Sequence, residues 1–130
     1  MARVGDVMSV GMVTAGPAAT VSEAATLMSR SRVGSVLVME PGRLTGIFTE
    51  RDVVRALGAD FDAAHHPISE WMTADPQTAS PDDDTDEALQ RMVDGGFRHL
   101  PVVDAAGVPV GMLSMRDLSR LAVEERRTGL

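Results

Sequence analysis

The chain has 130 residues, a net charge of −7 and a pI near 4.8. That length fits one compact domain, and the acidic balance argues against a nucleic-acid surface, which needs clustered Lys and Arg. There is no cysteine, so disulfides and thiol chemistry are excluded; with no apolar run near ~18 residues and no long apolar leader segment, the expectation is a soluble, unexported, cytoplasmic protein with no membrane partner.

In chain order, residues 4–8 have the spacing of one helical turn, and residues 12–14 predict a brief strand that Gly16-Pro17 ends. Thr20-Val21-Ser22-Glu23 is a capping box, followed by Ala24, Leu27 and Met28 at helical spacing. Residues 29–32 close that helix. Residues 33–39 are a continuous β-branched and apolar run, the pattern of a buried strand. Pro41-Gly42 turns the chain into a second strand over residues 43–48, and a helix over 50–57 follows. Residues 58–67 read as a linker, and residues 68–72 echo the first helical turn. Asp84-Thr85-Asp86-Glu87 is read as the matching capping box, opening a helix that carries Ala88, Leu89 and Met92 and is closed by residues 93–96. Strands over 98–103 and 108–113 and a helix over 115–122 complete the set, with a charged, frayed tail from Glu124. Pro101 has no N–H for a ladder, which predicts an edge or end position for its strand.

The two halves repeat each other. Met8, Thr14, Pro17, Glu23, Ala24, Met28 and Val38 recur 64 positions later as Met72, Thr78, Pro81, Glu87, Ala88, Met92 and Val102. After a slip of one residue near Ala105, Gly42, Gly46, Arg51, Asp52 and Arg55 recur as Gly107, Gly111, Arg116, Asp117 and Arg120. Each half is a β-α-β-β-α unit, giving an α/β (α+β) chain with repeat 1 at 1–57, a linker at 58–67, repeat 2 at 68–122 and a flexible tail at 123–130. Units of this size bury a core only marginally, which predicts that the halves share one.

The repeats centre on one strand-to-helix corner, Gly46-Ile47-Phe48-Thr49-Glu50-Arg51-Asp52 and Gly111-Met112-Leu113-Ser114-Met115-Arg116-Asp117. This tandem corner, with Arg98-His99-Leu100-Pro101-Val102-Val103-Asp104, resembles a pair of CBS (cystathionine β-synthase) domains across nearly the whole chain. The resemblance implies two repeats packed sheet to sheet about a pseudo-two-fold axis, with clefts between them. It implies a stand-alone regulatory module that binds AMP, ADP, ATP or a related adenosyl compound such as S-adenosylmethionine, requires no cofactor, forms a disc-shaped homodimer and controls a separate, unknown partner.

A helix N-terminus attracts phosphate through unpaired N–H groups and the positive dipole end. Thr49 and Ser114 add hydroxyls there, and Arg51 and Arg116 add guanidinium forks. By resemblance Asp52 and Asp117 take the ribose diol, while Arg98 and His99 reach phosphate. The first repeat has Gly34 and Ser35 at the places of Arg98 and His99, so the Asp117 site is the better equipped for a polyphosphate. The resemblance also brings Ser9 and Thr14 towards Asp117, and Thr73 and Thr78 towards Asp52.

Plainer readings stand beside these. The corners could be helix caps alone, and the module a ligand-free dimerisation or interaction unit. The arginines could be solvated or paired with nearby carboxylates, and His99 an ordinary strand residue. His65-His66 lacks further metal ligands at useful spacing, and Asp82-Asp83-Asp84 lacks a calcium loop's glycine and distal glutamate. An enzyme is not expected: no cysteine nucleophile, supported Ser-His-Asp order or Walker-type loop is present.

Overall fold

The computed structural model describes residues 2–129, which form two compact units. One is Met12–Pro76; the other joins the residues up to Gly11 to those from Gln77 onward.

In the first unit a four-stranded sheet has the order β1-β2-β3-β4, with β1 at Thr14–Ala15, β2 at Ser35–Glu40, β3 at Arg43–Thr49 and β4 at Thr73–Ala74. β1 runs parallel to β2, and the other neighbours are antiparallel. The β2–β3 hairpin turns at Gly42, whose φ of 79° suits a residue without Cβ. A bulge between Val38 and Met39 is held by the buried Thr45, whose Oγ1 donates to the Val38 carbonyl at 3.2 Å. Helices α2 (Val21–Ser31) and α3 (Glu50–Ala59) cover one face. The core there combines Val21, Ala24 and Met28 of α2 with Val36, Val38 and Phe48 of the sheet and Ala56 of α3. Ala63 and Ile68 also join it, both wholly buried. The segment expected to be a plain linker is thus built into the core through two short 3-10 turns, Ala63–His65 and Ile68–Glu70.

The second unit holds α1 (Val4–Val7), α4 (Thr85–Gly95), β5 (His99–Val103), β6 (Pro109–Ser114) and α5 (Met115–Arg127). Its core is Val4, Ala79, Ala88, Met92, Leu100, Val102, Leu113 and Leu118. The described residues therefore form two hydrophobic clusters, one in each unit, where the sequence led us to expect a single shared one. The physical reason is an exchange of segments. Residues from the chain start complete the second repeat's unit, and the connector completes the first, which enlarges each core beyond what one repeat supplies.

The exchange is hydrogen-bonded, and its two halves correspond residue for residue. Val4 N–H donates to Asp83 O and Gly5 N–H to Pro81 O, both at 2.8 Å; Ile68 N–H donates to Ala19 O at 2.8 Å and Ser69 N–H to Pro17 O at 3.2 Å. The β1–β2 pairing of Ala15 with Val38 returns as a parallel bridge between Ala79 and Val102. The β3–β4 pairing of Ile47 with Thr73 returns as an antiparallel bridge between Met112 and Ser9. Gly46 and Gly111 admit the crossing segments. A Cβ on Gly46 would lie 2.6 Å from Met72 Sδ, and one on Gly111 would lie 2.6 Å from Met8 Sδ.

The expected helix closures hold. Arg32 ends α2 and Gly96 ends α4, each in the left-handed conformation. Pro101 faces the outer edge of β5, where its carbonyl accepts from Ala79 N–H at 2.8 Å, so its missing N–H leaves the β5–β6 ladder intact. α5 runs past the expected end at Ala122 and carries Glu124–Arg127, with Arg126 and Arg127 in the last turn, where cations favour the helix dipole. Among the described residues no helix is long and apolar enough to cross a membrane.

Candidate functional site

Each corner is a strand end that becomes a helix without a loop. Thr49 is the N-cap of α3 and Ser114 the N-cap of α5, both with extended backbone. Both corners close capping boxes. Asp52 N–H donates to Thr49 Oγ1 at 3.4 Å, and Asp52 Oδ2 accepts from Thr49 N–H at 2.9 Å. Asp117 N–H donates to Ser114 Oγ at 3.1 Å, and Asp117 Oδ2 accepts from Ser114 N–H at 2.8 Å. Both aspartates are buried, each 5% exposed as a whole residue.

The first helical N–H groups are also engaged: Glu50 N–H donates to Gly34 O at 3.1 Å and Met115 N–H to Arg98 O at 2.9 Å. The expectation of a row of open N–H donors is corrected accordingly, because the first and third N–H of each helix have partners within the protein. The helix dipole remains at both corners, and Arg51 and Arg116 stand in the first turns.

The outer carboxylate oxygens differ between the repeats. Asp52 Oδ1 is held by Arg55 Nη1 at 2.8 Å. Asp117 Oδ1 accepts from Ser9 Oγ at 3.3 Å, while Arg120 Nη1 stands 3.9 Å away. Ser9 reaches Asp117 because it is bridged to Met112, two residues before Ser114.

The remaining candidates fall as follows. His99 is the cross-strand partner of Ser114, and Ser35 that of Thr49. Arg98, exposed, precedes His99, and its carbonyl binds the first N–H of α5. Arg51 and Arg116 lie exposed in the first turns of α3 and α5. Ser9, Arg98, His99, Ser114, Arg116 and Asp117 thus share the second unit, at the α5 corner. Thr73 pairs with Ile47 beside the first corner. Thr14 lies in β1 opposite Leu37, in the unit that holds Asp52. Thr78, whose carbonyl accepts from Arg91 Nη2 at 2.9 Å, lies in the unit that holds Asp117. Arg55 and Arg120 went unmarked as site residues in the sequence; their i+3 spacing from each aspartate was the available signal.

Elsewhere, His66 sits among carboxylates. Its Nδ1 is 3.0 Å from Glu70 Oε2, and its Nε2 is 3.7 Å from Asp60 and 3.8 Å from Asp62. The Glu70 hydrogen bond, with the nearby negative charges, raises its pKa above the ordinary 6.5. No cluster of three or more His, Asp or Glu suited to a metal ion occurs among the described residues.

The model of the CBS domain matches the chain twice, over residues 4–59 and 68–124. The chain belongs to the CBS domain family. It is 37% identical over 110 residues to an uncharacterized 17.7 kDa protein of Acidianus ambivalens, covering 83% of this chain and 65% of that protein. It is 41% identical over 111 residues to the meiotically up-regulated gene 70 protein of Schizosaccharomyces pombe, covering 85% of this chain. The chain spans 65% of the first of these relatives and 15% of the second. Among solved structures, the CBS domain pair of protein MJ0100 in complex with 5′-methylthioadenosine and S-adenosyl-L-methionine is 28% identical, with a TM-score of 0.87 over 96% of this chain and 98% of that one. The CBS domain protein PAE2072 of Pyrobaculum aerophilum, complexed with AMP, is 29% identical, with a TM-score of 0.81 over 93% of this chain and 98% of that one. The mixed α/β architecture is that of CBS domain pairs.

Proposed function

We propose that this CBS pair is a regulatory sensor of adenine nucleotides of the AMP, ADP or ATP type, acting on a separate partner protein. The observation that carries the reading is the α5 corner, where Ser9 and Ser114 bond the buried Asp117, His99 pairs with Ser114, Arg98 directly precedes His99 and Arg116 stands in the first turn of α5. Asp117 Oδ1 and the Ser9 hydroxyl serve the ribose diol, and Arg98, His99 and Arg116 serve the phosphate. The AMP complex of PAE2072 and the adenosyl ligands of MJ0100 support an adenosine-containing ligand. In this reading Thr49, Arg51, Asp52 and Thr73 make the corresponding, weaker site. No cofactor is required and no bond is made or broken. The protein works in the cytoplasm as a homodimer, and ligand alters the surface that the partner meets, by the difference in its affinity for the two states.

A second reading has its own observation. The capping boxes account for Thr49, Asp52, Ser114 and Asp117 as structural residues, which fits a ligand-free dimerisation or interaction module. A thermal-shift screen against AMP, ADP, ATP, S-adenosylmethionine and NAD, with GTP as control, separates the two. A ligand at about 100 times Kd adds roughly 2.7 kcal/mol to a state that alone binds it. A rise with an adenine compound and not with GTP is the expected result, and a flat screen selects the interaction module.

A further inference from the structure

The two corners match in sequence and in capping box, yet their outer carboxylate oxygens have different occupants. Asp52 Oδ1 is taken by the Arg55 guanidinium at 2.8 Å. Its equivalent in the second repeat, Arg120, stays 3.9 Å from Asp117 Oδ1, and a hydroxyl from Ser9 sits there at 3.3 Å. Both aspartates spend Oδ2 on the box, so Oδ1 is the oxygen with capacity for a ribose diol. A hydroxyl partner can rotate and share that oxygen, whereas a charged guanidinium, a donor only, holds it at short range.

We infer that Arg55 is a specificity-determining residue that competes with the ligand's diol for Asp52, setting the first site below the second. This rests on the adenine-nucleotide reading above. Arg55 reaches from the solvent, its side chain 59% exposed against 7% for Asp52, so it can swing away without disturbing the core. The competition is therefore modest and adjustable: filling the Asp52 site requires the guanidinium to release Oδ1. It also separates two effects that Arg98 and His99 would merge. Those residues favour the second site through phosphate, while Arg55 acts on the sugar and must tell equally against a nucleoside with no phosphate.

The test uses the full chain and two probes, AMP and uncharged adenosine, titrated calorimetrically into wild type, Asp117→Ala and Asp117→Ala/Arg55→Gln, with Arg55→Met as a second removal of the charge. Thermal melts check that each variant folds. In the Asp117→Ala background, losing the guanidinium tightens both probes by about two- to fivefold, the range expected for a partly exposed ion pair. If Asp117→Ala binds neither probe measurably, the double variant gains binding. Salt, which screens the pair, moves adenosine binding to Asp117→Ala in the same direction. Unchanged affinity on removing Arg55 overturns the inference, and so does weakened binding of AMP alone, which would make Arg55 a phosphate contact. A wild type that binds neither AMP nor adenosine fails the sensor reading itself.

Discussion

Ser9 Oγ donates to Asp117 Oδ1 at 3.3 Å across 108 positions of sequence. The bond exists because the chain's first segment completes the second repeat: Ser9 N–H donates to Met112 O at 2.9 Å and Met112 N–H to Ser9 O at 2.8 Å. Ser9→Ala removes an orienting donor from a buried carboxylate. A hydrogen bond contributes about 0.5–1.5 kcal/mol net, so AMP binding at the Asp117 site falls by about two- to tenfold. Calorimetric titration of Ser9→Ala in an Asp52→Ala background checks this.

Asp117 has two jobs, and Asp117→Asn separates them. An asparagine oxygen still accepts from Ser114 N–H, so the cap survives with a stability loss within the usual ~1 kcal/mol of a cap. The amide nitrogen then puts a donor where the ribose diol needs an acceptor. Nucleotide affinity drops by about tenfold or more, the scale of a lost bond to a charged acceptor. Denaturant unfolding and titration of the same preparation measure both; wild-type-like affinity in Asp117→Asn would assign Asp117 to the cap alone.

Gly111→Ala tests the crossing of segments. The new Cβ lies 2.6 Å from Met8 Sδ and 2.9 Å from Ser9 O. The flexible sulfur can move; the backbone carbonyl is held by Met112 N–H. Overpacking of this kind costs about 1–3 kcal/mol, and it pushes Ser9 from Asp117. Urea unfolding of Gly111→Ala should show the loss, and adding Met8→Ala should restore only part of it.

His66 predicts a pH dependence. Its folded pKa lies above 6.5, through Glu70 first and then the charges of Glu70, Asp60 and Asp62. A group whose pKa rises on folding contributes stability that is fully present below its unfolded value and fades as pH climbs through the folded value. His66 therefore adds to the protein's melting temperature below pH 6.5, and that gain fades as pH climbs through its raised folded pKa. His66→Gln flattens this part of the profile, read as melting temperature against pH in matched buffers; an identical slope in both proteins removes the role.

The sequence was most informative where the signal is local. Thr20 and Glu23, Thr49 and Asp52, and Ser114 and Asp117 each announce a helix start within four residues and form their boxes, whereas Asp84 caps α4 by accepting from Asp86 N–H at 2.9 Å and not through the expected box with Glu87. The pattern at 33–39 and its recurrence placed β2, β3, β5 and β6 within a residue or two, since burial and β-branching act on neighbours. Gly46 and Gly111 were visible as repeated residues, but their reason, the methionine and carbonyl that pass over them, was not.

What the sequence alone determined is the family, the two-fold repetition and the caps, because each is written in residues close together or in matching register. The tertiary structure alone decided three things: that residues 2–11 belong with the second repeat, that Ala63 and Ile68 turn the connector into core, and that Asp52 faces Arg55 while Asp117 faces Ser9. These depend on which distant segments share a sheet edge, and that is set by burying Val4 and Ile68 against the opposite repeat's helix and sheet, a long-range packing choice that no short stretch of chain encodes.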